Sequence, residues 1–118
     1  MKEIPQWLRL CFQSALIGEI YPEIRAIAVE FTEEKKLTVR YYLSREPTEG
    51  DWESLSVVMA SIISNTSSSE EIKEIVEDCI HSDLLLRDID VLDGLVYARR
   101  EYCLDEIKSQ QVDRHQSI

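Results

Sequence analysis

The patterning of this sequence predicts an α+β fold, a two-layer sandwich in the order α-β-β-α-β-β. The expected sheet is antiparallel, with two helices on one face. Three observations carry this. Apolar residues recur at helical spacing in 5–17 and again from Pro47 to about Asn65. They alternate in 23–31 and 37–44, on either side of the charged connector Glu33-Glu34-Lys35-Lys36. Two further strand-like segments, 71–81 and 94–101, follow the second helix.

In the first helix, Trp7, Leu8, Cys11, Phe12, Ala15 and Leu16 form one apolar stripe. Pro5 suits its first turn, and Gly18 suits a left-handed residue just past its end. The stripe reads as a core face. Its polar side is too poor in Lys and Arg for a membrane-surface helix.

The next two segments read as a hairpin. Ile27, Val29 and Phe31 alternate with Ala26, Ala28 and Glu30. Leu37, Val39, Tyr41 and Leu43 alternate with Thr38, Arg40, Tyr42 and Ser44. The small Ala26 and Ala28 imply either that something packs close to the second face or that this face is only half covered.

Thr48, with Asp51 three residues on, forms a capping box for the second helix. Trp52, Leu55, Met59 and Ile62 share its apolar face, widened by Val58 and Ile63. The run Ser64-Asn65-Thr66-Ser67-Ser68-Ser69 reads as a polar loop; it lacks the glycines and the lysine of a phosphate loop.

In 71–81 the register is ambiguous, because Ile72, Val76 and Ile80 mix with Ile75 and Cys79, and a bulge is one way to resolve it. The acidic connection 82–93 carries Leu84, Leu85, Leu86, Ile89, Val91 and Leu92. So many apolar residues imply that it folds back on the domain or meets a partner. The last two strands are expected to pair as a second hairpin. The domain is placed at 1–103, and 104–118 reads as a polar tail or short helix whose removal leaves the fold intact.

Charge is the most informative property. The 118 residues carry a net charge of −10. Between Thr48 and Asp93, twelve acids face two bases, a balance equal to that of the whole chain, and the other residues hold eleven of each. Such a field repels nucleic acid and anionic membrane and attracts cationic partners. No apolar run approaches the roughly 18 residues of a membrane span. No secretory leader is read either, because Arg9, Gln13 and Glu19 interrupt the N-terminal apolar stretch. A cytoplasmic protein is expected. Cys11, Cys79 and Cys103 are widely spaced and odd in number, which predicts reduced thiols and no metal half-site.

No catalytic constellation emerges. His81, near Asp83, reads as a surface histidine more readily than as a base or ligand, and His115 lies in the tail. Glycine-rich phosphate loops, EF-hand patterns and HExxH are absent from the sequence. No enzyme activity, cofactor or metal is expected. A binding module for a basic protein is, and an acidic inhibitor of a cationic nuclease fits that physics.

The residues also resemble a family. Ala15-Leu16-Ile17-Gly18-Glu19-Ile20 and Ile24-Arg25-Ala26-Ile27-Ala28-Val29-Glu30 look like the opening of a group of small bacterial immunity proteins encoded beside polymorphic toxins, including those of contact-dependent growth inhibition. Leu37-Thr38-Val39-Arg40-Tyr41-Tyr42-Leu43 with Glu46-Pro47-Thr48-Glu49-Gly50-Asp51-Trp52-Glu53, and Leu92-Asp93-Gly94-Leu95-Val96-Tyr97-Ala98-Arg99-Arg100-Glu101, resemble later parts of that group. The likeness covers about 8–101. The group often reads Arg-Leu-Asp-Tyr-Pro after its third strand, where this chain has Ile80-His81-Ser82-Asp83-Leu84. If that connection helps to choose the toxin, the partner here differs. The resemblance implies inhibition by binding, without turnover or cofactor.

The expected partner-binding residues are Glu70, Glu71, Glu74, Glu77, Asp78, Asp83, Asp88 and Asp90, facing a basic toxin of nuclease type. No nucleic acid and no membrane are expected as partners. The alternative is a small structural or adaptor subunit that uses the acidic and apolar 70–92 segment. A weaker one is an enzyme that holds Mg²⁺ on its acids.

Overall fold

Pro5 opens the first helix, α1 (Gln6–Ala15), its carbonyl accepting the N–H groups of Leu8 and Arg9. At the other end Gly18 has φ +80°, the left-handed geometry that glycine adopts without steric cost. The structure, a computed structural model, describes residues 3–66 and 72–101. After α1 come β1 (Ile24–Phe31), β2 (Lys36–Leu43), α2 (Glu49–Ser64), β3 (Glu74–His81), a single 3₁₀ turn (Leu86–Asp88) and β4 (Gly94–Ala98). The expected tail 104–118, the 103/104 domain limit, Cys103 and Ser67-Ser68-Ser69 of the polar loop lie outside the described residues.

β1 and β2 form the expected hairpin, with Phe31 opposite Leu37 and Val29 opposite Val39. Lys35, at φ 68°, closes its loop, and the Lys35 N–H donates to the Thr32 carbonyl at 3.0 Å. This is a short hairpin loop with a left-handed last residue.

The sheet order is β3-β2-β1-β4. It is mixed, which corrects the antiparallel expectation: β2 and β3 are parallel, from Lys36–Glu74 to Leu43–His81 without a bulge. The reason is α2. A helix leaving the end of β2 carries the chain back across one face, so the next strand starts where β2 started. The register irregularities fall in β1 instead, between Ile24 and Ala26 and between Ile27 and Ala28.

β4 is antiparallel to β1 and therefore runs the same way as β3, from which two strands separate it. The expected second hairpin is thus excluded. Residues 82–93 must instead return the length of the sheet, about 27 Å for eight residues. Twelve residues span that distance easily.

Both helices lie on one face, as expected. Leu8, Phe12, Leu55, Val58 and Ile62 pack there on Ile27, Val29, Val39 and Tyr41, forming the main core. Trp7 meets Phe31 edge-on, with ring centroids 5.7 Å apart. The returning connection covers the opposite face, where Ile89 packs on Ala26, Ala28 and Tyr42, joined by Leu86, Leu92 and Leu95. The small alanines are what allow a chain without regular structure to approach so closely. Leu92 sits at φ 57°, unusual for a branched residue. It is held there by the Asp90 carboxylate, which accepts the Leu92 N–H at 2.9 Å, and by the Tyr42 hydroxyl, which donates to the Asp90 carbonyl at 2.6 Å.

Candidate functional site: the acidic edge strand and its groove

β3 is an outer strand, and its side chains divide between the two faces of the sheet. Ile75, Glu77 and Cys79 face α2; Asp78 and Ile80 face the other way. The expected acids therefore do not share one strip. Glu74 stands exposed at the start of β3. Glu77 accepts the Ser56 hydroxyl of α2 at 2.9 Å. Asp78 pairs with Arg40 at 2.7 Å on the face opposite the helices. Asp83, Asp88 and Asp90 are exposed on the returning connection, Asp83 just after the end of β3. Glu70 and Glu71 lie outside the described residues. Glu74, Glu77 and Asp78 thus form an acidic border along the outer edge of the sheet, while Asp88 and Asp90 lie on the connection that crosses the second face over β1 and β2.

Between α2 and this edge runs a groove of about 550 Å³, lined by Trp52, Ser56, Met59, Ala60, Ile63 and Ile75 with Glu77. A second depression, about 260 Å³, continues it past Ile63 to Ile72 and Lys73. Trp52 and Ile63 were expected in the buried face of α2 but are 39% and 47% exposed. The core takes Leu55, Val58, Met59 and Ile62, and the helix is rotated so that Trp52 and Ile63 stand at its border. Sequence reasoning missed the groove. The available signal was Ser56 and Ala60, small residues on the flank that carries Trp52 and Ile63.

His81 ends β3 with both ring nitrogens engaged. Nδ1 lies 3.0 Å from Glu46 Oε2, and Nε2 lies 3.0 Å from Asp83 Oδ1. The hydrogen bond to Glu46 raises its pKa against the cost of desolvation, and Asp83 adds to the rise. With a carboxylate on each nitrogen, the site favours the protonated ring.

Two further polar centres hold the same end of the sheet. Arg25 is 7% exposed and grips Glu101 through Nε and Nη2 at 2.7 and 2.5 Å. It also donates to the Ser82 carbonyl at 2.6 Å, tying the end of β3 to the segment after β4. Asp51, 1% exposed, accepts hydrogen bonds from Tyr21, Arg45 and Thr48. The Arg45 bond, helped by the other two, holds its carboxyl well below the usual range despite burial. These contacts place the groove and the border on a fixed frame. Cys79, behind the border, is buried, and burial with nearby Asp51, Asp78 and Glu77 pushes its thiol up to about 12. It is a packing residue, not a nucleophile.

Among the described residues no helix is long and apolar enough to cross a membrane. No curated protein matches the sequence. Residues 5–101 match the MafI2 immunity protein family, from just before α1 to the Glu101 that Arg25 holds. That span takes in the whole described sheet, both helices and the groove, and on this match the chain belongs to the MafI2 immunity protein family.

Proposed function

We propose that the chain neutralises a basic nuclease toxin of a contact-dependent inhibition system, inside the cytoplasm, by binding it without turnover. Membership in an immunity family supports a cognate toxin as the partner. The observation that carries the finer reading is the charge: the full −10 lies between Thr48 and Asp93, the stretch that builds α2, β3 and the returning connection. A nuclease must be cationic where it holds nucleic acid, so an acidic surface of this kind competes for the same ground.

The test is inhibition of the toxin encoded beside this gene, in vitro and as growth protection. The chain is expected to abolish nucleic-acid cleavage at equimolar ratio. Replacing Glu74, Glu77 and Asp88 together by their amides is expected to slow association about tenfold at low salt, with the difference shrinking as ionic strength rises. The same change at Glu3, Glu33 and Glu34 is expected to do little. Equal effects of the two triples would show that the acids only keep the chain in solution, and a toxin that cleaves no nucleic acid would remove the nuclease reading.

A further inference from the structure

We infer that the toxin is held by strand addition: an extended, basic segment of it pairs with the outer edge of β3 and lays alternate side chains into the groove beside α2. This rests on the toxin-binding reading above and assigns the surface and the form of the partner.

The backbone supplies the first argument. At the two ends of the β2–β3 ladder, the Glu74 N–H donates to the Lys35 carbonyl at 3.3 Å and the Ser82 N–H to the Leu43 carbonyl at 3.1 Å. Between them the register is unbroken. Successive residues of a strand point their main-chain groups to opposite sides, so the even-numbered residues face β2. The N–H and C=O groups of Ile75, Glu77 and Cys79 therefore point outward, and among the described residues no strand lies beyond them.

The side chains supply the second. Those same three residues face α2, and Ile75 and Glu77 line the groove. A strand that pairs with their main chain would place every second side chain between β3 and the stripe Trp52, Met59, Ala60 and Ile63. Main-chain bonds then provide affinity, and the groove provides selection.

Charge selects the occupant. Outer strands are commonly defended by charges that repel further strands. Here Glu77 on one face and Glu74 and Asp78 on the other border the edge, with Lys73 the single base among residues 72–80. A second copy of this chain would bring acid against acid, whereas a strand carrying Lys or Arg would meet complementary charge along its length.

The experiment uses the full chain and the toxin encoded beside its gene. Ala60 is exposed on α2. Ala60→Arg puts bulk and positive charge in the groove, and Glu77→Pro removes one outward N–H while leaving the bonds to β2 in place. Glu77→Gln controls for the lost charge, and Leu10→Ser, on the exposed side of α1, controls for surface changes elsewhere. Ala60→Arg is expected to weaken binding at least tenfold. Glu77→Pro is expected to weaken it at least tenfold beyond Glu77→Gln, and Leu10→Ser to leave it unchanged. In the wild-type complex, amide exchange at Ile75, Glu77 and Cys79 should slow at least tenfold, a readout that stands even if Glu77→Pro fails to fold. Folded variants that bind like wild type, with no slowing at these amides, overturn strand addition and leave toxin binding intact. A wild-type chain that neither binds nor protects overturns both. A dimer that Ala60→Arg dissolves, or slow exchange in the free chain that is lost on deleting 102–118, identifies this chain itself as the occupant and also overturns the inference.

Discussion

The Tyr21 hydroxyl donates to Asp51 Oδ1 at 2.6 Å, joining the loop before β1 to the first turn of α2 across thirty residues of sequence. The same carboxylate accepts the Thr48 N–H at 2.7 Å and the Arg45 guanidinium at 2.6 Å. One side chain thus caps α2, neutralises an arginine and anchors a loop. Burial and Asp51 together push the Tyr21 hydroxyl well above its ordinary pKa.

Asp51→Ala is expected to cost about 3 kcal/mol, because it strips a cap and leaves the half-buried Tyr21 hydroxyl, the Arg45 guanidinium and the Thr48 N–H without their shared acceptor. Tyr21→Phe should cost about 1 kcal/mol, since only one bond is lost. Urea denaturation of the two variants checks the ranking. Linkage gives the pH dependence. The folded carboxyl titrates below its ordinary 3.8, so its contribution is present above that value and is lost as pH falls through the folded pKa.

On the face opposite the helices, Ala28 lies beneath Ile89. Ala28→Leu should destabilise by about 1–3 kcal/mol, because there is no room for three more carbons under the returning connection. Ile89→Ala should cost about 2 kcal/mol through lost burial and the cavity left behind. Thermal melts of the two variants read this out, and a neutral Ala28→Leu would mean that the connection lifts away at little cost.

His81 is raised from 6.5 by Glu46 first and by Asp83. A base with a raised folded pKa adds stability that is fully present below its unfolded value. That stability fades as pH rises from about 6.5 through the folded pKa. Proton NMR titration of the His81 ring should give a value above 6.5, returning toward it in Glu46→Gln. Both carboxylates are highly exposed, so salt should reduce the shift.

The Cys79 thiol, buried and raised to about 12, should resist alkylation at pH 8 in the native protein and react fully in urea. Peptide mapping by mass spectrometry distinguishes it from Cys11. Rapid native labelling at Cys79 would show that β3 detaches readily from α2.

Alternation and helical spacing report which face a residue takes, and those assignments were legible. Val29, Phe31, Val39 and Tyr41 sit on the helix side and Ala26 and Ala28 on the other, each as its position in the pattern demands. The turn at Gly18, the hairpin after Phe31 and the cap at Thr48 were equally legible, since each depends on a few neighbouring residues. The concentration of acid in one stretch was visible by counting.

Neighbours were not legible, because periodicity says nothing about which strand lies beside which or in what direction. The path of α2 made β3 parallel to β2, and with β1 already between β2 and β4, the last two strands were kept apart at opposite edges. That separation turned 82–93 from a loop into the cover of the second face. It also split the acids, sending Asp78 to Arg40 and Glu77 to Ser56. Trp52 and Ile63 lie eleven residues apart, about three helical turns, so both follow the same small rotation of α2 out of the core. From sequence they are core residues. Only the packing of Leu55, Val58 and Ile62 against the sheet leaves them standing at the border of a groove. Local chemistry determined the elements, their faces and their charge; the order of the strands, and with it the open edge of β3, was decided by long-range packing.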